Sequence, residues 1–319
     1  MPTKDDTALA YTGEELQTRV AWYYYAVGLT QRAIAARFGV SQGKVNRLLA
    51  AAKQSGQLEV TIDSGLVDCV ALEHALIECF GLYQAVVVPS WTDASRHRES
   101  LGAGAAGYLN GLLASGMTLA LGWGRTIVSL IDSLAPGRFR DLSVVGLQGG
   151  LAHCAQLNTF EVVSDMAALY DADQYFFAAP LYADGPSAKE RFLAQAPIRE
   201  TCEKAARADL RLVTMGGMED SMALTYGISD SALAGELREA GAVGDVLGYF
   251  IDAEGRPVDH PVNDRTVAVP LDSLRGSGRT VAVAGGSSRV DIVRATLVGG
   301  YASVLVTDEH TANALITST

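Results

Sequence analysis

Cysteine is scarce in this chain and histidine nearly so. Four cysteines, Cys69, Cys79, Cys154 and Cys202, and five histidines stand among 319 residues. The cysteines form no CxxC pair and the histidines no HExxH cluster, so neither a disulfide framework, a metal site nor a metal cofactor is indicated. His97, His153 and Cys154 have no ligand spacing and read as isolated side chains. Long apolar runs are missing too. None reaches the roughly 18 residues that a membrane-spanning helix needs, so no membrane partner is expected. The N-terminal "MPTKDDTALAYTGEE" is polar and lacks an apolar signal core, so we expect no secretory leader and a cytoplasmic protein. One further absence is local. No acidic residue lies between Glu15 and Glu59, although the formal net charge of the whole chain is -11.

That acid-free stretch contains six basic residues, Arg19, Arg32, Arg37, Lys44, Arg47 and Lys53. Residues 1–62 hold seven basic and five acidic groups, so residues 63–319 carry a net -13 and should repel DNA. A basic segment in an acidic protein points to a nucleic-acid contact. The spacing inside it is helical. Thr30 can cap a helix beginning at Gln31, whose apolar positions Ala33, Ile34 and Phe38 fall three or four apart. Gly39 permits a tight turn. Ser41 caps the next helix, where Val45, Leu48 and Leu49 face inward and Gln42, Lys44, Asn46 and Arg47 remain outside. Arg and Lys suit guanine edges or phosphates, Gln and Asn suit adenine, and a helix start favours a phosphate. The candidate DNA-binding residues are therefore Thr30, Gln31, Ser41, Gln42, Lys44, Asn46 and Arg47. A preceding helix, 14–27, would brace the pair with Leu16, Val20, Trp22, Tyr23 and Tyr24. The bland alternative is a small helical bundle with a solvated basic face.

Residues 58–62, "LEVTI", read as a short strand closing a winged helix, and Asp63, Ser64 and Gly65 break the pattern. The expected organisation is a DNA-binding domain at 1–62 and a larger domain at 63–319. The second opens with a helix over 66–80, which could pair with a second copy or simply begin the large domain, followed by the strand "AVVVP". Short apolar runs then alternate with helical stretches: "MTLALG" before "GRTIVSLIDSL", "LSVVGL" before "TFEVVSDMAALY", "LRLVTMGG", "RTVAVAG" before "SRVDIVRATLVGG", and "ASVLVTD". Continuous apolar strands separated by helices predict an α/β fold with a parallel sheet covered on both faces. Ligands of such sheets bind beyond the carboxyl ends of the strands.

Four of those strand ends carry glycine or polar residues. Gly122-Trp123-Gly124-Arg125-Thr126 opens into a helix, an arrangement that favours an anion such as a phosphate. Gln148, with Gln156 and Asn158 beyond it, suits hydroxyl recognition. Gly285-Gly286-Ser287-Ser288-Arg289 is a second glycine turn entering a helix, with Arg289 able to hold phosphate or carboxylate. Thr307-Asp308-Glu309 stands at another helix start, where an ordinary N-cap is the plain alternative. Each glycine turn is weak evidence singly; their placement at one rim is the stronger point.

The stretches "GLTQRAIAARFGVSQGKVNRLL", "LGWGRTI", "GAVGDVLGYFIDAEGRPV" and "TVAVAGGSSRVDIVRATLVGGYASVLVTDEHTANALI" resemble the SorC family of bacterial transcriptional regulators. The resemblance covers nearly the whole chain. It implies a helix-turn-helix joined to a sugar-binding domain similar in fold to glucosamine-6-phosphate deaminase and sugar-phosphate isomerases. It also implies operator DNA as partner, a phosphorylated sugar as the usual effector, and a tetramer. By position it marks Gly122, Gly124, Arg125 and Thr126 as one side of the effector site and Gly285, Gly286 and Arg289 as the other. Gln148 and Gln156 would lie over the sugar, and Asp245 would accept its hydroxyls, with Asp252 and Asp308 as further acidic candidates. Many relatives carry Lys where Arg289 stands, and Trp123 puts a bulky ring in a loop that in some relatives holds small residues. An unphosphorylated sugar or polyol stacked on Trp123 is therefore a variant of the same reading. The rival class is a sugar-phosphate isomerase or deaminase, with Asp245, Asp308, Glu309 and His310 as the acid–base candidates. An enzyme would leave the DNA-reading helices unexplained, so a non-enzymatic regulator is the expectation.

Overall fold

The computed structural model describes residues 13–25, 27–55, 67–152, 157–228, 232–276 and 278–317. The chain divides into two units, Met1–Ser64 and Gly65–Thr319. In the first, the caps and apolar spacing produce three helices, α1 (Gly13–Tyr25), α2 (Gln31–Phe38) and α3 (Gln42–Gln54). The Thr30 hydroxyl accepts from the Ala33 N–H at 3.2 Å, and Ser41 does the same for Lys44 at 3.2 Å. Each side chain satisfies an N–H that the first helical turn leaves unpaired. Gly39 ends α2 with φ 60°, a left-handed conformation that glycine adopts without strain. Leu16, Val20, Ile34, Val45 and Leu49 are buried together as the small core. Trp22 is not one of its members. It stands 57% exposed, while Tyr23 packs edge-on against Phe38 and beneath the Arg37 guanidinium. The expected wing strand at 58–62 lies outside the described residues.

The second unit alternates helices and strands: α4 (Val67–Phe80), β1 (Gln84–Val88), α5 (Ala94–Asn110), β2 (Thr118–Leu121), α6 (Arg125–Asp132), β3 (Ser143–Gly146), α7 (Thr159–Tyr170) and β4 (Asp173–Tyr175). After α8 (Pro186–Ala194) and α9 (Ala196–Ala206) come β5 (Leu210–Val213) and β6 (Met215–Gly217). Next are α10 (Leu233–Glu239), β7 (Gly244–Val246), β8 (Tyr249–Ile251), α11 (Pro261–Asp264), β9 (Arg279–Val283), α12 (Val290–Val298), β10 (Val304–Asp308) and α13 (Glu309–Thr317). Seven strands form one parallel sheet in the order β1-β10-β9-β5-β2-β3-β4.

The period-two pattern of the strands divides the core between the two faces. Leu119, Leu121, Val281, Val283, Val304 and Val306 join Leu101, Ile127 and Val163 of α5, α6 and α7. Ala120, Ala282 and Leu305 point the other way, into the cluster holding Leu76, Ile198, Ile292 and Leu315 of α4, α9, α12 and α13. The mixed α/β architecture with a parallel sheet is thus as expected. Two elements differ. The expected continuous run "LRLVTMGG" breaks at Thr214, whose hydroxyl donates to the Trp123 carbonyl at 2.6 Å. Beyond it β6 leaves the main sheet for a small antiparallel one, β6-β7-β8. α5 was not anticipated. Its glycines dilute the apolar signal, yet Gly102 is needed, since a Cβ there would press on the Ser129 backbone of α6.

Candidate effector site

β10, β9, β5 and β2 are neighbours in the sheet, so the loops leaving their carboxyl ends meet at one place. The chain proceeds outward from β2 to β3 on one side and from β9 to β10 on the other, the arrangement that opens a crevice in parallel sheets. A cavity of about 300 Å³ occupies this position. It is lined by Trp123, Gly124, Arg125 and Thr126 from the β2 loop and by Gly285, Gly286, Ser288 and Arg289 from the β9 loop. Asp245 of β7 closes it from the small sheet, and His97 and Arg98 of α5 from the side.

Gly124 precedes α6 with φ 122°, and Thr126 in the first turn is buried, while Arg125 is exposed. The Trp123 indole packs with Leu181 and Phe250 and is only 5% exposed, so it forms a wall of the cavity rather than an obstruction in it. Gly122 does not line the cavity; its N–H donates to the Leu212 carbonyl at 2.8 Å and extends the strand pairing.

On the opposite side the β9 loop is clamped by Asp308. This fully buried carboxylate accepts from Ser90 Oγ at 2.7 Å, the Gly286 N–H at 2.8 Å, and the Thr311 N–H and hydroxyl. Burial alone would raise its pKa, but the hydrogen bonds from Thr311, Ser90 and Gly286 together hold it below the usual carboxylate range. A Cβ at residue 285 would overlap this carboxylate, which is why glycine stands there. Asp308 therefore shapes the loop instead of lining the cavity. His97 Nε2 lies 3.6 Å from its Oδ2, beyond hydrogen-bond length.

Asp245 has a different setting. Leu247 and Gly248, with φ 55° and 83°, make the two-residue turn between β7 and β8, and the Gly248 N–H donates back to Asp245 Oδ2 at 3.2 Å. Ser221 Oγ donates to Oδ1 at 2.6 Å. Burial outweighs both bonds and pushes this carboxyl up to about 6. A carboxylate has about four lone-pair sites, so acceptor capacity remains for ligand hydroxyls. Arg289 Nη2 meets Asp220 Oδ2 at 2.8 Å, an ion pair at the lip of the same cavity.

Two other expected residues, Gln148 and Asp252, are placed apart from the cavity lining. Gln148 is fully buried at an isolated bridge to Ala268, and its amide bonds to no described residue. Gln156 lies outside the described residues. Asp252 is engaged in its own turn, accepting from the Glu254 and Arg256 N–H groups and from the Arg256 side chain. Sequence reasoning missed Asp220, Ser221 and Thr214, and it set His97 aside. Their signal is position alone: Asp220 and Ser221 stand three and four residues beyond the second of the two glycines that end β6. Among the described residues no group of His, Cys, Asp and Glu is arranged to hold a metal, and no helix is long and apolar enough to cross a membrane.

Residues 64–317 match the family model described as "Putative sugar-binding domain". The chain is 31% identical over 311 residues to the erythritol catabolism regulatory protein EryD of Brucella abortus, covering 97% of this chain and 98% of that protein. It is 33% identical over 314 residues to the transcriptional regulator LsrR of Klebsiella pneumoniae, with 97% and 94% covered. Among solved structures, the full-length sorbitol operon regulator SorC from Klebsiella pneumoniae superposes with a TM-score of 0.72 over 94% of this chain and 98% of its own, at 24% identity. These relatives are named as regulators rather than enzymes. From its N-terminal helices to its last helix, this chain belongs to the SorC/DeoR-type family of transcriptional regulators that carry a sugar-binding domain.

Proposed function

We propose that residues 1–62 bind operator DNA and that residues 63–319 hold a sugar-type effector which controls that binding. The observation that carries this reading is the convergence at one cavity of two glycine turns, at Gly124 and Gly285-Gly286, with Arg125, Arg289 and the carboxylate of Asp245. Backbone N–H groups and guanidinium groups suit an anionic end, and a buried carboxylate suits hydroxyl groups. A polyhydroxy compound with a phosphate end satisfies both; a neutral polyol against Trp123 and Asp245 satisfies the second. In the first unit Gln42, Lys44, Asn46 and Arg47 are all exposed on α3, following a three-residue turn from α2. That spacing and the exposed basic face of α3 suit insertion into the major groove.

Control requires that the effector favour one arrangement of the DNA-reading helices over another, since only differential affinity shifts a population. A homotetramer would supply such arrangements, and the cytoplasm is where operator and sugar metabolites meet. The test is fluorescence anisotropy of a labelled duplex from upstream of the protein's own operon, titrated with protein, with and without a panel of sugars, polyols and their phosphates. Tight binding altered by one class of compound is the expected result. Equal binding to a scrambled duplex, unaffected by every compound, would overturn the reading.

A further inference from the structure

The basic lip of the cavity is already occupied by a group of the protein itself. Arg289 Nη2 is 2.8 Å from Asp220 Oδ2, with the two side chains 24% and 33% exposed. Asp220 is not a chance neighbour: its Oδ1 accepts the Gly217 N–H at 2.9 Å and its Oδ2 also accepts from Ser288 Oγ at 3.2 Å. One carboxylate thus ties the end of β6 to the turn that carries Arg289. The guanidinium is only partly used by it. Arg289 Nε is buried and has no hydrogen-bond partner among the described residues. Nε and an Nη form one edge of the planar fork, the edge that a carboxylate or phosphate grips with two oxygens. Asp220 meets the guanidinium at Nη2. An incoming anion able to take both donors would bind better than the resident carboxylate and displace it.

Resting on the effector-site reading above, we propose that Asp220 is a specificity-determining competitor that holds Arg289 until a phosphate-type anion replaces it. Its consequence is a threshold. A neutral polyol leaves the pair intact and is read only from the Asp245 side. A phosphate end breaks the pair, frees Asp220 from Arg289, and so loosens the link between β6 and the 287–289 turn. The sign of the effect separates this role from ordinary ligand contact. A carboxylate that accepted effector hydroxyls would be missed when neutralised; a competitor's removal strengthens binding.

The test is calorimetric titration of the full-length protein with inorganic phosphate, comparing the native chain, Asp220→Asn, Arg289→Gln and the double variant. Asn retains a carbonyl oxygen for the Gly217 N–H; Asp220→Ser, whose hydroxyl can also accept it, stands in if the Asn variant does not fold. The expected result is phosphate affinity about tenfold higher in Asp220→Asn, the gain from removing a partly exposed ion pair and a repelling charge together. In the Arg289→Gln background the gain should vanish. Phosphate binding that needs Arg289 but is unchanged or weaker in Asp220→Asn would overturn the competitor role and leave the effector site standing. A gain that persists without Arg289 would also overturn it, as general charge relief. Absence of phosphate binding in all four proteins would refute both the competitor and the anionic end of the site.

Discussion

Replacing Asp245 with Asn should remove a pH dependence of stability whose size follows from where this carboxyl sits. Burial raises its pKa from 3.8 to about 6, against the opposing hydrogen bonds from Ser221 and Gly248. With the folded value above the unfolded one, the folded state takes up a proton over this interval. The stabilisation from protonation is fully present below 3.8 and is lost as the pH rises through about 6. A shift of two units corresponds to about 3 kcal/mol in full, at roughly 1.4 kcal/mol per unit. Between pH 7 and pH 5 the share is about 1.4 kcal/mol: at pH 5 the folded carboxyl favours its protonated form about tenfold, while the unfolded one is still ionised. Asn does not titrate. Carboxyls with the opposite tendency, Asp308 and Asp252, are held low in both chains and cancel in the comparison. The assay is urea unfolding of both proteins at pH 5 and pH 7, followed by tryptophan fluorescence, to which Trp123, buried in the same unit, contributes. The native chain should gain about 1.4 kcal/mol on the variant at pH 5 relative to pH 7. A difference that stays constant, or that moves in favour of the variant at pH 5, would refute the placement of Asp245 as a desolvated carboxyl.

Gly285→Ala should lower stability by about 2 kcal/mol or more, because the new Cβ displaces the Asp308 carboxylate and its hydrogen bonds; a melting temperature equal to the native one would contradict this. Arg47→Ala should weaken operator binding at least about tenfold and reduce the slope of log affinity against log salt by about one, with effector binding intact. A loss of effector affinity in that variant would contradict the division of labour between the units. Thr126→Ala, in the buried first turn of α6, should reduce effector affinity about tenfold without changing operator affinity in the absence of effector. Calorimetry and anisotropy on the same preparation check both halves.

Much of this site was legible because its chemistry is local in sequence. Gly124-Arg125-Thr126 and Gly285-Gly286 each bring a strand end, a glycine turn and a helix start within a few residues, and the strand order gathers them. The helices of the first unit were legible from Thr30, Gly39 and Ser41, whose caps act within four residues. Asp308 illustrates the limit. Its position at a strand end was visible, but its role depends on Ser90 and on the Gly286 N–H, distant in the chain. Asp220 was invisible for the same reason, since its partners Ser288 and Arg289 come from another strand's loop. Gln148 stands just past a strand end, but its burial at a bridge to Ala268 depends on a segment distant in the chain. The split at Thr214 was hidden because "LRLVTMGG" reads as one strand, and the hydroxyl's bond to the distant Trp123 carbonyl fixes the break there.

Effector binding at the cavity in one unit and operator binding at the α3 face in the other should be energetically linked. The direct measurement is the coupling in both directions: operator affinity with and without saturating effector, and effector affinity with and without operator. Linkage demands one common factor. Equal factors in the two directions, well separated from one, are the expected result. Tight binding of both ligands to the native protein with a coupling factor of one would contradict it.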